Sequence, residues 1–394
     1  MSAALPPVTA VLEAGARERV APALSAAVLR DGRLVHASWH GELSGPAPRA
    51  LRRDDLFDVA SLTKVMATTT LAAQLVEEGA LDLDAPVADR LPGFEAGGKA
   101  GVTARHLLAH SSGLPRWRPY FERAAADPEA GAAFLPPGRR PPPAALAGAF
   151  ARGRARVREA VLAEPLEAAP GARAVYCDPG FIALGLLVEA LGGAPLAVLA
   201  ERRVFRPLGL GATFFLDGLD PAAAAARAAG RAFVPTGACP RRGEAALQGE
   251  VNDDNAWAMG GAAGHAGVFS TAPEVAALGQ AWLEALEGRP SVVPARAAAA
   301  FAERDPTPGS ERALGWDTPS RGASSLGGRL GRGPRGALGH LGFTGTSLWI
   351  DRDARLVCAL LTNHVHPAGE SDRPRIRAFR QRFHDAVAEA LGIG

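Results

Sequence analysis

The chain has 394 residues, enough for one large domain or two ordinary ones, and its 47% hydrophobic and 21% charged content is typical of a globular protein. Lys and Arg (43) nearly balance Asp and Glu (41), so the net charge of +2 gives no reason to expect nucleic acid or a membrane surface as partner. No apolar run approaches the roughly 20 residues that span a bilayer.

The N-terminus reads MSAALPPVTAVLEAGARERV and lacks the basic segment followed by an apolar one that marks a secretory signal. The three cysteines, Cys177, Cys239 and Cys358, are widely spaced and form neither a disulfide framework nor a metal motif. We therefore expect a cytoplasmic location, or a periplasmic one if the true start lies upstream. We expect no metal and no cofactor.

Lysine and tyrosine are both scarce. The 43 basic residues include two lysines, Lys64 and Lys99, and the chain has two tyrosines, Tyr120 and Tyr176. Arginine keeps its proton under working conditions, whereas lysine can lose it. A lysine in an arginine-rich chain is therefore a candidate for proton transfer.

The first half of the chain predicts a short helix over residues 8–20, and then a β-hairpin that turns at Asp31-Gly32. Residues 124–172 are rich in Ala, Pro, Gly and Arg and predict irregular loop with one or two helices. Further helices are predicted over residues 61–78 (closed by Gly79), from the N-cap Thr103, and over residues 180–193, 195–206 and 221–230.

The last third predicts two strands, 338–351 and 355–363, joined at Arg352-Asp353, and a helix from Pro374 to Leu391. Strands at both ends and helices between them predict an α+β fold, in which one antiparallel sheet from both chain ends is flanked by helices. We expect a single catalytic domain, 1–394. Its α/β lobe would cover about residues 1–85 and 285–394, and its helical lobe about 86–284, with the active site in the cleft between them.

The first candidate motif is Ser61-Leu62-Thr63-Lys64 at the start of a helix. Residues at i and i+3 share one face of a helix, so the Lys64 amine lies within reach of the Ser61 hydroxyl. A desolvated lysine near another cation, or near the positive end of a helix, can be neutral enough to act as a base for a serine nucleophile. The ordinary alternative is an N-cap serine followed by a solvated lysine.

Two more motifs follow. In Tyr176-Cys177-Asp178 a phenol beside a lysine can shuttle a proton, although a buried tyrosine before an Asp N-cap would look the same. His340-Leu341-Gly342 is expected at the start of a strand, where the glycine would let a substrate lie against the strand edge. The Phe343 N–H could then face an oxyanion, and the alternative is a strand with a surface histidine.

A Ser-x-x-Lys, then Tyr-x-Asn/Asp, then Lys/His-Thr-Gly on a strand resembles the signature of penicillin-recognising serine enzymes. The spacing, and segments such as RHLLAHSSGLP and GFTGTSLWIDRD, resemble the branch related to class C β-lactamases, with its esterases and D-amino-acid peptidases. The resemblance covers most of the chain, from about Leu24 onward, and implies the β-lactamase/transpeptidase-like fold.

The resemblance also implies roles for the site residues. Ser61 would be the nucleophile and Lys64 its base, Tyr176 would shuttle the proton, and Asp178 would hydrogen-bond Lys64 and the substrate amide. His340 would orient the substrate or support Tyr176. The backbone N–H groups of Ser61 and Phe343 would form the oxyanion hole, next to Leu341 and Gly342.

Two departures from the signature bear on the substrate. Leu341 replaces a threonine whose hydroxyl helps to bind a carboxylate, and His340 replaces the lysine of true β-lactamases. Thr344 could supply the missing hydroxyl from a shifted register. We therefore expect an esterase, an amidase or a cell-wall peptide hydrolase ahead of a β-lactamase, acting on a small-molecule or cell-wall-derived ester or amide. The alternative is a catalytically silent protein that binds peptide or cell-wall ligands.

Other features are assigned ordinary roles. His364 and His366 lack a third ligand for a metal, and His110 and His265 are expected to bond backbone carbonyls. The glycine-rich stretch 260–267 predicts a tight loop beside the cleft. Cys177 would be reactive if exposed, and residues 252–255 are either a surface turn or a cleft wall.

Overall fold

The computed structural model describes residues 4–45, 48–320, 322 and 324–394. The strands are β1 (Ala23–Arg30), β2 (Arg33–Leu43), β3 (Arg49–Ala50), β4 (Phe57–Asp58), β5 (Phe214–Phe215), β6 (Val268–Ser270), β7 (Ala337–Leu341), β8 (Ser347–Asp351) and β9 (Leu356–Thr362). The α-helices are α1 (Pro6–Arg17), α2 (Thr70–Glu77), α3 (Ala104–Leu108), α4 (Phe121–Ala125), α5 (Pro143–Ala163), α6 (Asp178–Gly192), α7 (Leu196–Ala200), α8 (Pro221–Ala228), α9 (Asp254–Ala258), α10 (Ala272–Leu286), α11 (Ala295–Phe301) and α12 (Arg373–Ala390).

A six-stranded antiparallel sheet has the order β3-β2-β1-β9-β8-β7, so the two chain ends meet at its centre. Strand β1 pairs with β9 in a register that sets Ala27 opposite Ala359. The β1–β2 hairpin turns at Asp31 and Gly32, both with positive φ, as a two-residue hairpin loop requires. The predicted α+β fold with a sheet from both chain ends is confirmed.

The sheet is covered by helices on both faces. Even-numbered residues of β1, such as Leu24, join a core with α1 and α12, whereas Ala23 and Ala27 face the other core. Helix α10 packs on that second face so closely that a Cβ on Gly279 would lie 2.6 Å from Val357 Cγ1. The predicted lobe boundaries put α10 in the helical lobe. The division of the chain into two lobes near residues 85 and 285 stays a prediction.

Two predicted elements differ in detail. The run 338–351 is not one strand but two, β7 and β8, joined by a turn over residues 342–346. The predicted helix 61–78 is present, but it is not a single α-helix. It begins as a 3-10 turn (Ala60–Leu62), continues as a π-helical turn (Lys64–Thr69) and ends as α2. π-Helical turns are rare and often occur at functional sites.

The small sheet β4-β6-β5 is separate from the large sheet, and helices α2 to α9 lie between β4 and β6 in the chain. Helix α6 is the core of this region, since all its residues from Pro179 to Val188 are buried. In the described part of the chain, no single helix is long and apolar enough to cross a membrane. The bent pair Asp178–Gly192 and Leu196–Phe205, broken at 70°, meets the criteria of length and composition only when taken together.

Candidate active site

Ser61 and Lys64 lie side by side directly after β4. Ser61 is in the 3-10 turn and Lys64 begins the π-helical turn, so the two side chains project from the same side of the helical stretch. Lys64 Nζ lies 2.9 Å from Ser61 Oγ, and the lysine side chain is fully buried. The structure thus brings the pair together as the spacing predicts, and a solvated Lys64 is excluded.

Asp178 reaches the same point from the N-terminus of α6. Its Oδ1 accepts a hydrogen bond from Lys64 Nζ at 2.7 Å, as the resemblance implied. The N-cap of α6 is Cys177 rather than Asp178, because the Cys177 Sγ accepts from the Gly180 N–H at 3.1 Å. Cys177 is 1% exposed, and burial raises its pKa to about 12, so its thiol is protected from reaction.

The charge of Lys64 is set by two opposing effects. Burial lowers the pKa of Lys64, but the neighbouring Asp178 and Tyr176 outweigh it and hold this pKa above its ordinary value. Lys64 is therefore protonated in the unliganded protein. A carboxylate rather than a second cation lies beside Lys64, so any base function requires that a proton first leaves this cluster.

Tyr176 stands over the Ser61–Lys64 pair. Lys64 Nζ lies 4.8 Å from the centroid of its ring, and the His110 ring packs against it at 4.6 Å. Burial raises the pKa of Tyr176, while the nearby Lys64 cation and Ser61 hydroxyl act to lower it. The phenol is thus neutral at rest and lies beside both the nucleophile and the cation.

His340 lies near the end of β7, not at its start as predicted. Its Nδ1 is 3.0 Å from the Leu341 carbonyl oxygen, and its Nε2 is buried with no partner among the described residues. Burial lowers the pKa of His340 to about 4, so the ring is neutral at pH 7. The residue is 1% exposed and its ring centroid lies 6.1 Å from that of Tyr176, so His340 is not a surface histidine.

Gly342 is required by the protein's own packing rather than by a substrate. A Cβ at this position would lie 2.0 Å from Thr346 Oγ1 and 2.7 Å from the Val59 carbonyl oxygen. The Thr344 hydroxyl is buried and donates to the Asp58 carbonyl at 2.9 Å. The idea that Thr344 replaces the threonine hydroxyl missing at Leu341 is therefore wrong.

The turn between β7 and β8 also presents Phe343 to the site. Phe343 is 44% exposed and, with Leu341 and Gly342, borders the cavity that contains Ser61. Its backbone N–H donates no hydrogen bond to another described residue. This N–H is available for a ligand.

The glycine-rich loop before β6 closes the other side of the site, as predicted. The carbonyl of His265 accepts a hydrogen bond from Lys64 Nζ at 3.3 Å, and its Nε2 lies 2.8 Å from Asp253 Oδ1. The prediction that His265 bonds a backbone carbonyl is thus wrong. It is also wrong for His110, whose Nδ1 accepts from the Cys177 N–H at 2.9 Å.

Two charged residues of the site were missed by sequence reasoning. The guanidinium of Arg312 lies 5.1 Å from the Tyr176 ring centroid and pairs with Asp317. Asp58 is buried, and its carboxylate accepts from the N–H groups of Ala60 (2.8 Å) and Asn252 (2.7 Å). Neither carries a sequence signal, because Arg312 is one of many arginines and Asp58 precedes the motif.

These residues surround a cavity of about 970 Å³, large enough for a peptide or glycopeptide fragment. Asn252, Asp253 and Asp254 line it, so this acidic stretch is a cleft wall rather than a surface turn. Among the described residues no group of three or more His, Cys, Asp and Glu side chains could hold a metal. His364 and His366 instead contact backbone carbonyls of Val20, Asp372 and Thr236.

The arrangement has the parts of an acyl-transfer site. It offers a serine hydroxyl, a cation and a phenol that can move its proton, a carboxylate that holds the cation, and the Phe343 N–H, which has no partner among the described residues. Such a combination can attack a carbonyl carbon, stabilise the resulting oxyanion and protonate a leaving group.

Comparison with known proteins places the chain in a family. The profile of the β-lactamase family matches residues 8–381. Over 362 residues the chain is 32% identical to the N-acetylmuramyl-L-alanine amidase of Bacillus subtilis, covering 86% of this chain and 76% of that protein. It is 30% identical over 375 residues to an Escherichia coli protein provisionally named a D-alanyl-D-alanine carboxypeptidase, covering 88% of this chain and 79% of that one.

Solved structures agree on the fold. The hydrolase EstCE1, described as having promiscuous acyltransferase activity, superposes with a TM-score of 0.68 at 21% identity, covering 97% of each chain. The chain belongs to the β-lactamase family and is a serine hydrolase of the β-lactamase and penicillin-binding-protein type.

Proposed function

We propose that this enzyme hydrolyses an amide bond in a cell-wall-derived peptide or muramyl peptide through an acyl-Ser61 intermediate. The observation that carries the proposal is the position of Lys64 Nζ, 2.9 Å from Ser61 Oγ and 2.7 Å from Asp178 Oδ1. Burying a lysine at this point is costly unless it is paired. A proton-transfer function gives the chain a reason to keep a lysine here in place of an arginine.

In the proposed reaction, Ser61 Oγ bonds to the carbonyl carbon of the amide, and the carbonyl becomes an oxyanion. The Ser61 proton passes to the Lys64–Tyr176 pair, which gives it to the nitrogen of the leaving amine as the C–N bond breaks. Water then attacks the acyl-serine ester, with the same pair accepting its proton and returning one to Ser61.

Lys64 and Tyr176 share this proton because neither is suited to hold it alone. At rest both are protonated, since their pKa values are raised. The competent form therefore lacks one proton, which is shared by the coupled pair. The negative charge of Asp178 holds Lys64 in place and disfavours the loss of a proton from the pair. A substrate amide N–H that donates to Asp178 would weaken this effect.

The oxyanion is assigned to the backbone N–H groups of Ser61 and Phe343, two residues that line the same cavity. Leu341 lines the cavity beside Phe343 and contributes only apolar contact. His340 is neutral and close to Tyr176, so it would orient the phenol or the substrate rather than attract an anion.

The substrate class is inferred from the charges near Tyr176. Leu341 and a neutral His340 remove two groups with which the family binds the carboxylate of a β-lactam, so we rank a β-lactamase last. Arg312 supplies a cation near Tyr176, where the leaving group would lie, and suits a free carboxylate on a leaving amino acid or peptide. The names of the two curated relatives, an amidase and a carboxypeptidase, agree with such an amide.

A simple ester is the second candidate, favoured by EstCE1 and by the apolar surfaces of Leu341 and Phe343. A silent binding protein is disfavoured, because binding alone gives no reason to keep Ser61, Lys64 and Tyr176 in mutual contact. The cytoplasmic location stays a prediction.

The test is a comparison of kcat/KM for four substrates: an N-acetylmuramyl-L-alanyl peptide, a D-Ala-D-Ala peptide, a p-nitrophenyl ester and a penicillin. We expect Ser61-dependent turnover that is greatest on one of the two peptides and least on the penicillin. Highest activity on the penicillin, or turnover that persists in Ser61→Ala, would overturn the proposal.

A further inference from the structure

Arg380 of α12 is a buried cation that contacts the turn between β7 and β8. It is 5% exposed and forms no ion pair with a carboxylate of the described residues, although the charge of Asp317 acts on it. Its guanidinium donates instead to three backbone carbonyls of the turn: Gly342 (2.9 Å), Gly345 (3.2 Å) and Thr346 (2.7 Å). A buried cation without a paired carboxylate is costly to stability, and such costs are often kept at functional sites.

The bond to the Gly342 carbonyl has a direct consequence for Phe343. The Gly342 C=O and the Phe343 N–H belong to one planar trans peptide unit, in which these two groups point in opposite directions. Because Arg380 and the Gly345 N–H (3.1 Å) both donate to this C=O, the Phe343 N–H points away from both donors. A cation that donates to the C=O also polarises the peptide and strengthens its N–H as a donor, by about 10–30%.

The opposite side of the turn is fixed to the nucleophile's own segment. The Thr344 hydroxyl donates to the Asp58 carbonyl at 2.9 Å, and the Thr346 hydroxyl donates to the Val59 carbonyl at 3.0 Å. Asp58 and Val59 lead directly into Ala60, whose φ of +49 is unusual for alanine, and into Ser61. The turn is thus held between Arg380 and the residues that position Ser61.

We infer that Arg380 is a positioning residue for catalysis, which orients and polarises the Phe343 N–H that receives the oxyanion. This inference rests on the proposed function, since it assumes that Ser61 forms the acyl-enzyme. Arg380 also borders the cavity, but its described hydrogen bonds all go to the turn, so we assign its effect to the Gly342–Phe343 peptide. Its effect should therefore appear on the reaction step and not on substrate binding.

The experiment measures kcat and KM with a p-nitrophenyl ester, and the rate at which a fluorophosphonate labels Ser61, for wild type and three variants. Arg380→Met removes all three hydrogen bonds to the turn. Arg380→Lys keeps the positive charge but loses the planar arrangement of guanidinium N–H groups. Arg382→Met is the matched control, because Arg382 lies on the same helix but is exposed and pairs with Glu18.

Removal of an oxyanion donor costs 10²–10³-fold in kcat, so misorienting one in Arg380→Met should cost about 10- to 100-fold, with KM within about 2-fold of wild type. Arg380→Lys should lose less, and Arg382→Met should match wild type. Labelling by the fluorophosphonate should slow in parallel with kcat, because its reaction also develops an oxyanion.

Wild-type kcat and labelling in a folded Arg380→Met enzyme would overturn the inference and leave the proposed function standing. A loss confined to KM would also overturn it. If Arg380→Met does not fold, Arg380→Lys decides: a fall in kcat of at least about 3-fold at unchanged KM supports the inference, and unchanged kcat rejects it. If wild type itself is neither labelled at Ser61 nor active, the proposed function and this inference both fail.

Discussion

Replacing Asp178 by asparagine should move the pH–rate profile of the enzyme toward acid. Asp178 lies 2.7 Å from Lys64 Nζ and is a cause of the raised pKa of both Lys64 and Tyr176. Removing its charge therefore lowers both pKa values. A close opposite charge shifts a pKa by about 1–3 units, which corresponds to about 1.4–4 kcal/mol.

The sign of the effect follows from the form that reacts. The competent site lacks one proton, so kcat/KM rises with pH until the Lys64–Tyr176 pair has lost it. In wild type this rise should lie on the alkaline side of neutrality, since both pKa values are raised. In Asp178→Asn the midpoint should fall by about 1–3 pH units, even if the maximum rate is also lower.

The assay is p-nitrophenyl ester hydrolysis from pH 5 to 10, corrected at each pH with Ser61→Ala, and the shift is read from the displacement of the rising part of the profile where the midpoint lies above this range. The control is Asp84→Asn, which removes an exposed carboxylate paired with Arg105 and should leave the midpoint unchanged. If the midpoint in Asp178→Asn stays in place or moves to higher pH, the rise of kcat/KM with pH is not caused by proton loss from the Lys64–Tyr176 pair.

Three further predictions concern the surrounding residues. Lys64→Arg should lower kcat by at least about 10²-fold with an unchanged circular dichroism spectrum, because arginine cannot accept the proton; wild-type turnover would remove Lys64 as base. Arg312→Gln should raise KM about 10-fold for a D-Ala-D-Ala peptide but not for a neutral ester, because only the peptide has a carboxylate that Arg312 can bind. Equal effects on both substrates would contradict the proposal that Arg312 binds a substrate carboxylate. Burial raises the pKa of Asp253, but His265 outweighs it and lowers this pKa to about 2 from 3.8, and the side chain is 26% exposed. A depressed carboxyl pKa stabilises the fold above pH 3.8 and the gain is lost as pH falls to 2, so urea unfolding of Asp253→Asn should show a deficit of at most about 2 kcal/mol at pH 7 that shrinks below pH 4. A deficit that is independent of pH would show that charge is not its cause.

The sequence was sufficient for the parts of the site that depend on local spacing. Ser61 and Lys64 share one helical turn, and Asp178 begins a helix next to Tyr176, so their motifs are recognisable from the order of residues alone. The same holds for the sheet from both chain ends, because the Asp31-Gly32 turn and the apolar run 355–363 have clear strand signals.

The rest of the site depends on contacts between distant segments. Arg380 donates to carbonyls 34 to 38 residues away, and nothing in its helix distinguishes it from the neighbouring arginines. The charge of Lys64 could not be predicted from the sequence for the same reason, because burial and Asp178 have opposite effects whose balance depends on distance. The turn inside 338–351 was missed because Gly342 and Gly345 are separated by residues that also suit a strand.

The central claim is that Ser61 forms an acyl-enzyme, and intact-mass spectrometry tests it most directly. Wild type and Ser61→Ala would be mixed briefly with a p-nitrophenyl ester, a penicillin and a D-Ala-D-Ala peptide, quenched in acid and weighed. We expect the mass of wild type to rise by that of one acyl group with at least one compound, and that of Ser61→Ala to remain unchanged. An equal adduct on both proteins, or no adduct on wild type together with turnover that does not depend on Ser61, would contradict the account.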